Sequence, residues 1–141
     1  MAKDLHSLIR YQGWQVDEKR RALGELLRIV ESLENRMHQL HEDLKSEQAA
    51  AAASPEVAGV IYGSFAQSFI TERENLLDSI GKAEQKVAIA REELREAYQE
   101  QKKFEMTQEA RDKKEEEERN LLEQKELDEI GAEVHRQKSR R

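Results

Sequence analysis

His38 and His41 lie one helical turn apart with Glu42 beside them, a grouping of imidazoles and carboxylate of the kind that binds divalent metals. A metal site needs a third ligand converging on the same point, and helical spacing supplies none, so no metal site is expected. The chain has no cysteine, which removes disulfides and thiolate ligands from consideration. Gly59-Val60-Ile61-Tyr62-Gly63 has two glycines but lacks the lysine and the preceding strand of a phosphate-cradling loop. No serine or threonine has a base that spacing would place beside it. The many carboxylates belong to wetted faces, where two of them sharing a site with shifted pKa values is not expected. The sequence therefore predicts neither catalysis nor a cofactor.

The residues that stand out are those suited to protein contacts. Tyr11 and Trp14, with Glu18 and Arg21, project from the side opposite Ile9 and Val16, and exposed tryptophan beside arginine is the composition of an interface hot spot. The plainer alternative folds Trp14 against a neighbouring turn or the end of the second helix. Gln12 and Lys19 occupy a column where leucine belongs, so an outside partner is expected to complete the fold here. A second candidate is the run from Val57 to Ile70, the most apolar of the chain, where Val57, Ile61, Phe65 and Phe69 either pack locally around a turn or form a docking site. A third is Leu127, Ile130 and Val134, a short stripe preceded by the charged run Glu109 to Arg119. Pairs such as Lys114 with Glu118 and Glu115 with Arg119 support a lone helix there by a few tenths of a kcal/mol each.

The elements that would position these residues follow from a seven-residue apolar repeat. Ile9, Val16, Leu23, Val30, Met37 and Leu44 form one column, and Leu5, Leu26, Leu33 and Leu40 the interleaved one, a coiled-coil seam. Past Pro55 the columns are Ile80, Val87 and Leu94, interleaved with Tyr62, Phe69, Leu76, Ala83, Ala90, Ala97 and Phe104. The predicted fold is all-α: two long helices in an antiparallel coiled-coil hairpin, a single rod over residues 1–141. Helix 1 is expected at about 4–50, the turn at about 51–55 and helix 2 at about 56–136, ending in a helical overhang with no partner inside the hairpin. Alanine, the best helix former, carries the first helix toward the turn, and Pro55 disfavours helical geometry at Ser54. Ser54 then suits the N-cap and Pro55 the first position of the second helix. Gly59 and Gly63 cost about 1 kcal/mol each in a helix and predict a kinked or frayed start. Folding about this turn puts Leu23 opposite residues 83–87 and Leu5 near Phe104. Ala83, Ala90 and Ala97 let the helices approach closely.

Composition agrees with a rod. Charged residues make up 38% of the 141 and hydrophobic ones 37%, whereas a globule of this length is about half apolar and a quarter charged. One proline, six glycines and 5% aromatics argue against a β-sandwich or an α/β fold. The first ten residues lack an apolar run of signal-peptide length and no stretch nears a membrane span, so the expectation is a cytosolic protein without membrane insertion. A net charge of −6 opposes nonspecific nucleic-acid binding, although Arg136, Lys138, Arg140 and Arg141 make the end locally basic.

Several strings, in order around one turn, resemble the flagellar type III export protein FliJ family, particularly its shorter alphaproteobacterial versions. They are Leu8-Ile9-Arg10-Tyr11 with Trp14, Asp17-Glu18-Lys19-Arg20-Arg21, Tyr62-Gly63-Ser64-Phe65, Ala90-Arg91-Glu92-Glu93-Leu94 with Ala97-Tyr98, and Leu127-Asp128-Glu129-Ile130-Gly131. The resemblance implies a cytoplasmic, non-enzymatic coiled coil, similar to the stalk of rotary ATPases and associated peripherally with the inner-membrane export apparatus. It further implies that the end bearing both termini enters a hexameric export ATPase, that the rod contacts an export gate membrane protein, and that the protein escorts export chaperones. With the residues above, it makes Tyr11, Trp14, Arg21, Leu127, Ile130 and Val134 the expected ATPase-ring contacts. For the gate it implies Phe69 and Leu76, beside the neighbouring Phe65, with Arg73 standing where a more apolar residue fits the family. The competing reading is a coiled-coil adaptor or chaperone of a related type III secretion system or other assembly; a nucleic-acid binder acting through the basic end is a third. The hairpin is expected as a monomer, although swapped chains would bury the same columns.

Overall fold

The computed structural model describes residues 5–140, apart from the side chains of 55–60. Val57, among the apolar side chains expected after the turn, and Arg141 of the basic end fall outside that description. The described residues form two helices and no strand: α1 spans His6–Ala53 and α2 spans Pro55–Ser139, packed against each other as a helical hairpin. The alanine tract stays helical to Ala53 and Ser54 alone breaks the chain, narrower than the expected 51–55, because alanine holds the helix until the steric effect of proline on the residue before it takes over. Pro55 is the first residue of α2, where its missing N–H costs nothing. The glycines do not interrupt the helix: α2 runs through Gly59 and Gly63 and on to Ser139, and no described glycine has a positive φ. About 1 kcal/mol per glycine is a small cost beside the half-buried aromatics Tyr62, Phe65 and Phe69 that follow.

Two compact units divide the chain. The first, Gln15–Ala97, contains every described residue that is buried: Val16 and Leu40 from α1, and Leu76, Ala83, Val87 and Ala90 from α2. The rest of the heptad columns here, Leu23, Leu26, Val30, Leu33, Met37, Leu44, Ile80 and Leu94, are half-buried, because two helices cover each other along one stripe only and leave its edges wet. Three cross-helix contacts fix the antiparallel sense: Gln48 Nε2 to the Tyr62 hydroxyl at 3.2 Å, Arg36 to Glu72 at 2.7 Å, and Lys19 Nζ to Glu93 at 3.1 Å. Arg36 meets the residue that folding about Ser54 puts opposite it. Lys19 reaches about one turn further along α2 than that symmetry places it. The lysine in the leucine column is thus met from within the hairpin, where the sequence reading called for an outside partner: its ammonium finds Glu93 across the helices.

The second unit comprises the chain up to Trp14 together with α2 from Tyr98. Here the seam is half polar. Leu5, Ile9 and Phe104 share it with Gln12, Gln101 and Gln108, all half-buried, and no described residue of this unit is fully buried. The Leu5 amide donates to Gln108 Oε1 at 3.0 Å. At Gly13 the helices come close: a Cβ there would lie 3.2 Å from Gln101 Nε2. Beyond Arg111 every described residue of α2 is exposed.

Candidate functional site

All the aromatic and tail residues expected at one end of the hairpin belong to the second unit; Arg21 belongs to the first. Tyr11 and Trp14 stand one turn apart on α1 with ring centroids 6.3 Å apart at a tilt of 32°, and Trp14 remains 57% exposed. Trp14 therefore does lean on a neighbouring side chain, yet more than half of it faces solvent. Arg21 is held by an ion pair to Glu18 one turn back. On α2, Tyr98 stands half-open with the Lys102 ammonium 5.8 Å from its ring centre, and Met106 is exposed.

In the tail, Leu127, Ile130 and Val134 are all exposed, Leu127 by 63%. Two residues missed by the heptad reading join them: Leu121 and Leu122, exposed by 67% and 61%. They escaped because adjacent leucines at no three- or four-residue step from the stripe give no periodic signal. At about 100° per residue, Leu121, Leu122 and the stripe point to three directions about 100° or more apart. Glu118, Leu121, Leu122, Gln124, Lys125 and Asp128 outline a shallow hollow on that helix, and Gln67, Ser68, Thr71, Glu72 and Asn75 outline a polar one. Each runs along a single helix, with no convergence of groups for chemistry.

The three residues expected at the gate separate. Leu76 is 7% exposed and lies in the hairpin core, so its side chain offers almost nothing to a partner. Its place in the seam column outweighs its place in the family spacing. Phe65 and Phe69 are half-buried, and the Phe69 ring meets His41 edge-on, centroids 5.6 Å apart at 87°. Arg73 is exposed, and the apolar residues open to solvent near it are Ile70 and Leu77. His41 donates from Nδ1 to the Met37 carbonyl at 2.9 Å and caps Phe69, while His38 faces solvent. Among the described residues no group of three His, Asp or Glu side chains is placed to hold a metal ion, and no helix is long and apolar enough to cross a membrane.

Electrostatics add one perturbed pair, in the first unit. Arg95 grips both oxygens of Glu92, its Nε donating at 3.0 Å, and this hydrogen bond, aided by the nearby charge, holds the Glu92 carboxyl below the usual glutamate range and raises the guanidinium in turn. Both lie on one exposed turn of α2, so the pair supports the helix and is no catalytic dyad.

A seam covered along one stripe, exposed aromatics near Trp14, and an exposed helical tail with apolar side chains on several sides define a coiled-coil hairpin with apolar surface open to solvent. The family model described as flagellar FliJ protein matches residues 1–140. The chain belongs to that family, and is a component of the flagellar export apparatus. No curated protein and no solved structure matches it.

Proposed function

We propose that the protein is a non-enzymatic stalk of the export apparatus, in the cytoplasm at the inner membrane. In this reading the unit carrying Trp14 and the tail enters the hexameric export ATPase, α2 beyond the turn meets the export gate membrane protein through Phe65 and Phe69, and the hairpin escorts export chaperones. The observation that carries it is the tail. Past Arg111, α2 stays helical to Ser139 with every described residue exposed, and its leucines, isoleucine and valine point to three sides. A helix lying against one partner needs one apolar stripe; a helix enclosed by a ring has use for apolar side chains all round. The exposed Tyr11 and Trp14 in the same unit add anchors of the type that dominates interface energetics.

Turnover of the purified cognate ATPase tests the reading with wild-type chain, Trp14→Ala and a chain ending at Asn120. Burying Trp14 in the ring contributes about 2 kcal/mol or more to binding, so both variants should lose stimulation while helicity of the Gln15–Ala97 unit is kept. Undiminished stimulation by both would refute the stalk and leave the adaptor, whose binding would not depend on an assembled hexamer.

A further inference from the structure

The stripe Leu127, Ile130, Val134 has a strongly signed border. Stepping back from Leu127 by fours and threes along the stripe's own columns reaches Glu123, Asn120 and Glu116, with no further apolar side chain. The flanks add Glu117, Glu126 and Glu133, against Arg119 as the one cation on this face between 116 and 133. All these residues are exposed; Glu133 is bridged to Arg136 at 2.7 Å, and cations bound this stretch on both sides, Lys113 before it and Lys138 and Arg140 after it. We propose that this face docks a basic partner surface, in which aliphatic side chains that cover Leu127 and Ile130 are edged by lysine or arginine. The inference takes the tail as a docking end, which rests on the reading above, and names the chemistry of what it meets.

A second copy of the chain is a poorer match. Antiparallel tails aligned on this seam bring Leu127 to Ile130 and set Glu117 against Lys138, but they also set Glu126 against Glu133 and Arg119 against Arg140, so attraction and repulsion offset; parallel tails set Glu123 against Glu123 and Glu116 against Glu116. Neither pairing offers a cation to every glutamate. Nucleic acid and anionic lipid carry the same sign as the face and are repelled by it. A basic surface satisfies every glutamate at once, and the apolar stripe then gives it register.

Two designed helical peptides with the same leucine seam, one flanked by lysine and one by glutamate, serve as probes for the full-length chain, read by fluorescence anisotropy. The lysine-flanked peptide should bind about tenfold or more tightly than the other, with the gap closing as salt rises. The triple variant Glu116→Gln, Glu123→Gln, Glu126→Gln should abolish the preference. The control Glu118→Gln, Asp128→Asn, Glu129→Gln changes net charge equally on other faces and should keep it. Equal binding of the two peptides, or equal loss in both triples, would overturn the inference, the latter by reducing it to net charge. ATPase turnover with Leu127→Ser, Ile130→Ser is a separate arm: stimulation unaffected there counts against the ring reading and leaves the peptide result standing.

Discussion

At the scale of single residues, burial decides between roles that spacing left open. Leu76 fitted both the seam column and the gate spacing, and at 7% exposure it is core. Lys19 read as a defect in the column, since sequence could not say which carboxylate lay across from it; Glu93 does. Phe69 is poised between the two cases, edge-on to His41 yet half-open. Phe69→Ala is expected to weaken gate binding more than ATPase binding in parallel titrations, and equal loss of both with reduced helicity would make it a core residue only. Glu92 gives a pH signature. Its folded pKa is depressed by the Arg95 hydrogen bond, so the pair's support of the helix is present above the ordinary glutamate range and lost as pH falls through the lowered value. Side-chain NMR titration should place Glu92 below an ordinary glutamate, and Arg95→Gln should return it to the usual range.

At the scale of the helices, both were legible from the heptads because a two-helix seam obliges the sequence to repeat. Where the seam lapses, the signal fades too: Gln12, Gln101 and Gln108 sit half-buried in columns whose apolar pattern they break, and a polar seam of this sort reads as an exposed face until the partner helix is in view. The turn was readable in position but not in width, since the alanine tract fits either helix or connection. Leu40, 6% exposed, packs in the core of the Gln15–Ala97 hairpin, and Leu40→Ala should cost about 2–3 kcal/mol, the low end for such truncations because the open seam edge can relax. Urea denaturation measures it, and no loss would mean that the column does not carry the fold. Gly81 sits within α2 with open space where a Cβ would be, so Gly81→Ala should stabilise by about 0.5–1 kcal/mol.

At the scale of the whole molecule, the buried core is confined to one unit. Every buried described residue belongs to the Gln15–Ala97 unit, while the exposed Trp14 and the tail belong to the other. Ending the chain at Arg111 should therefore leave the unfolding free energy of the first unit, from urea denaturation, within about 0.5 kcal/mol of wild type. A larger shift would reveal support that burial does not account for. The class of fold was readable from the heptads, and the exposure of Tyr11, Trp14, Leu127, Ile130 and Val134 from their places off the seam. The three-sided distribution of apolar side chains on the tail was not, because Leu121 and Leu122 fall outside any repeat.

The wetted tail also has a thermodynamic character of its own. With no tertiary contact to hold it, its helix content is governed by a helix–coil equilibrium: each residue near the end flickers between states with a propagation constant near unity, and warming erodes it gradually, without the sharp transition of the packed unit. Whatever grips the tail must first select its helical population, so affinity there is tuned by propensity at positions that touch nothing. Gly131, with open space around it, is such a position: Gly131→Ala should enrich the helical population and tighten capture about fivefold, the equivalent of about 1 kcal/mol, without adding a single contact.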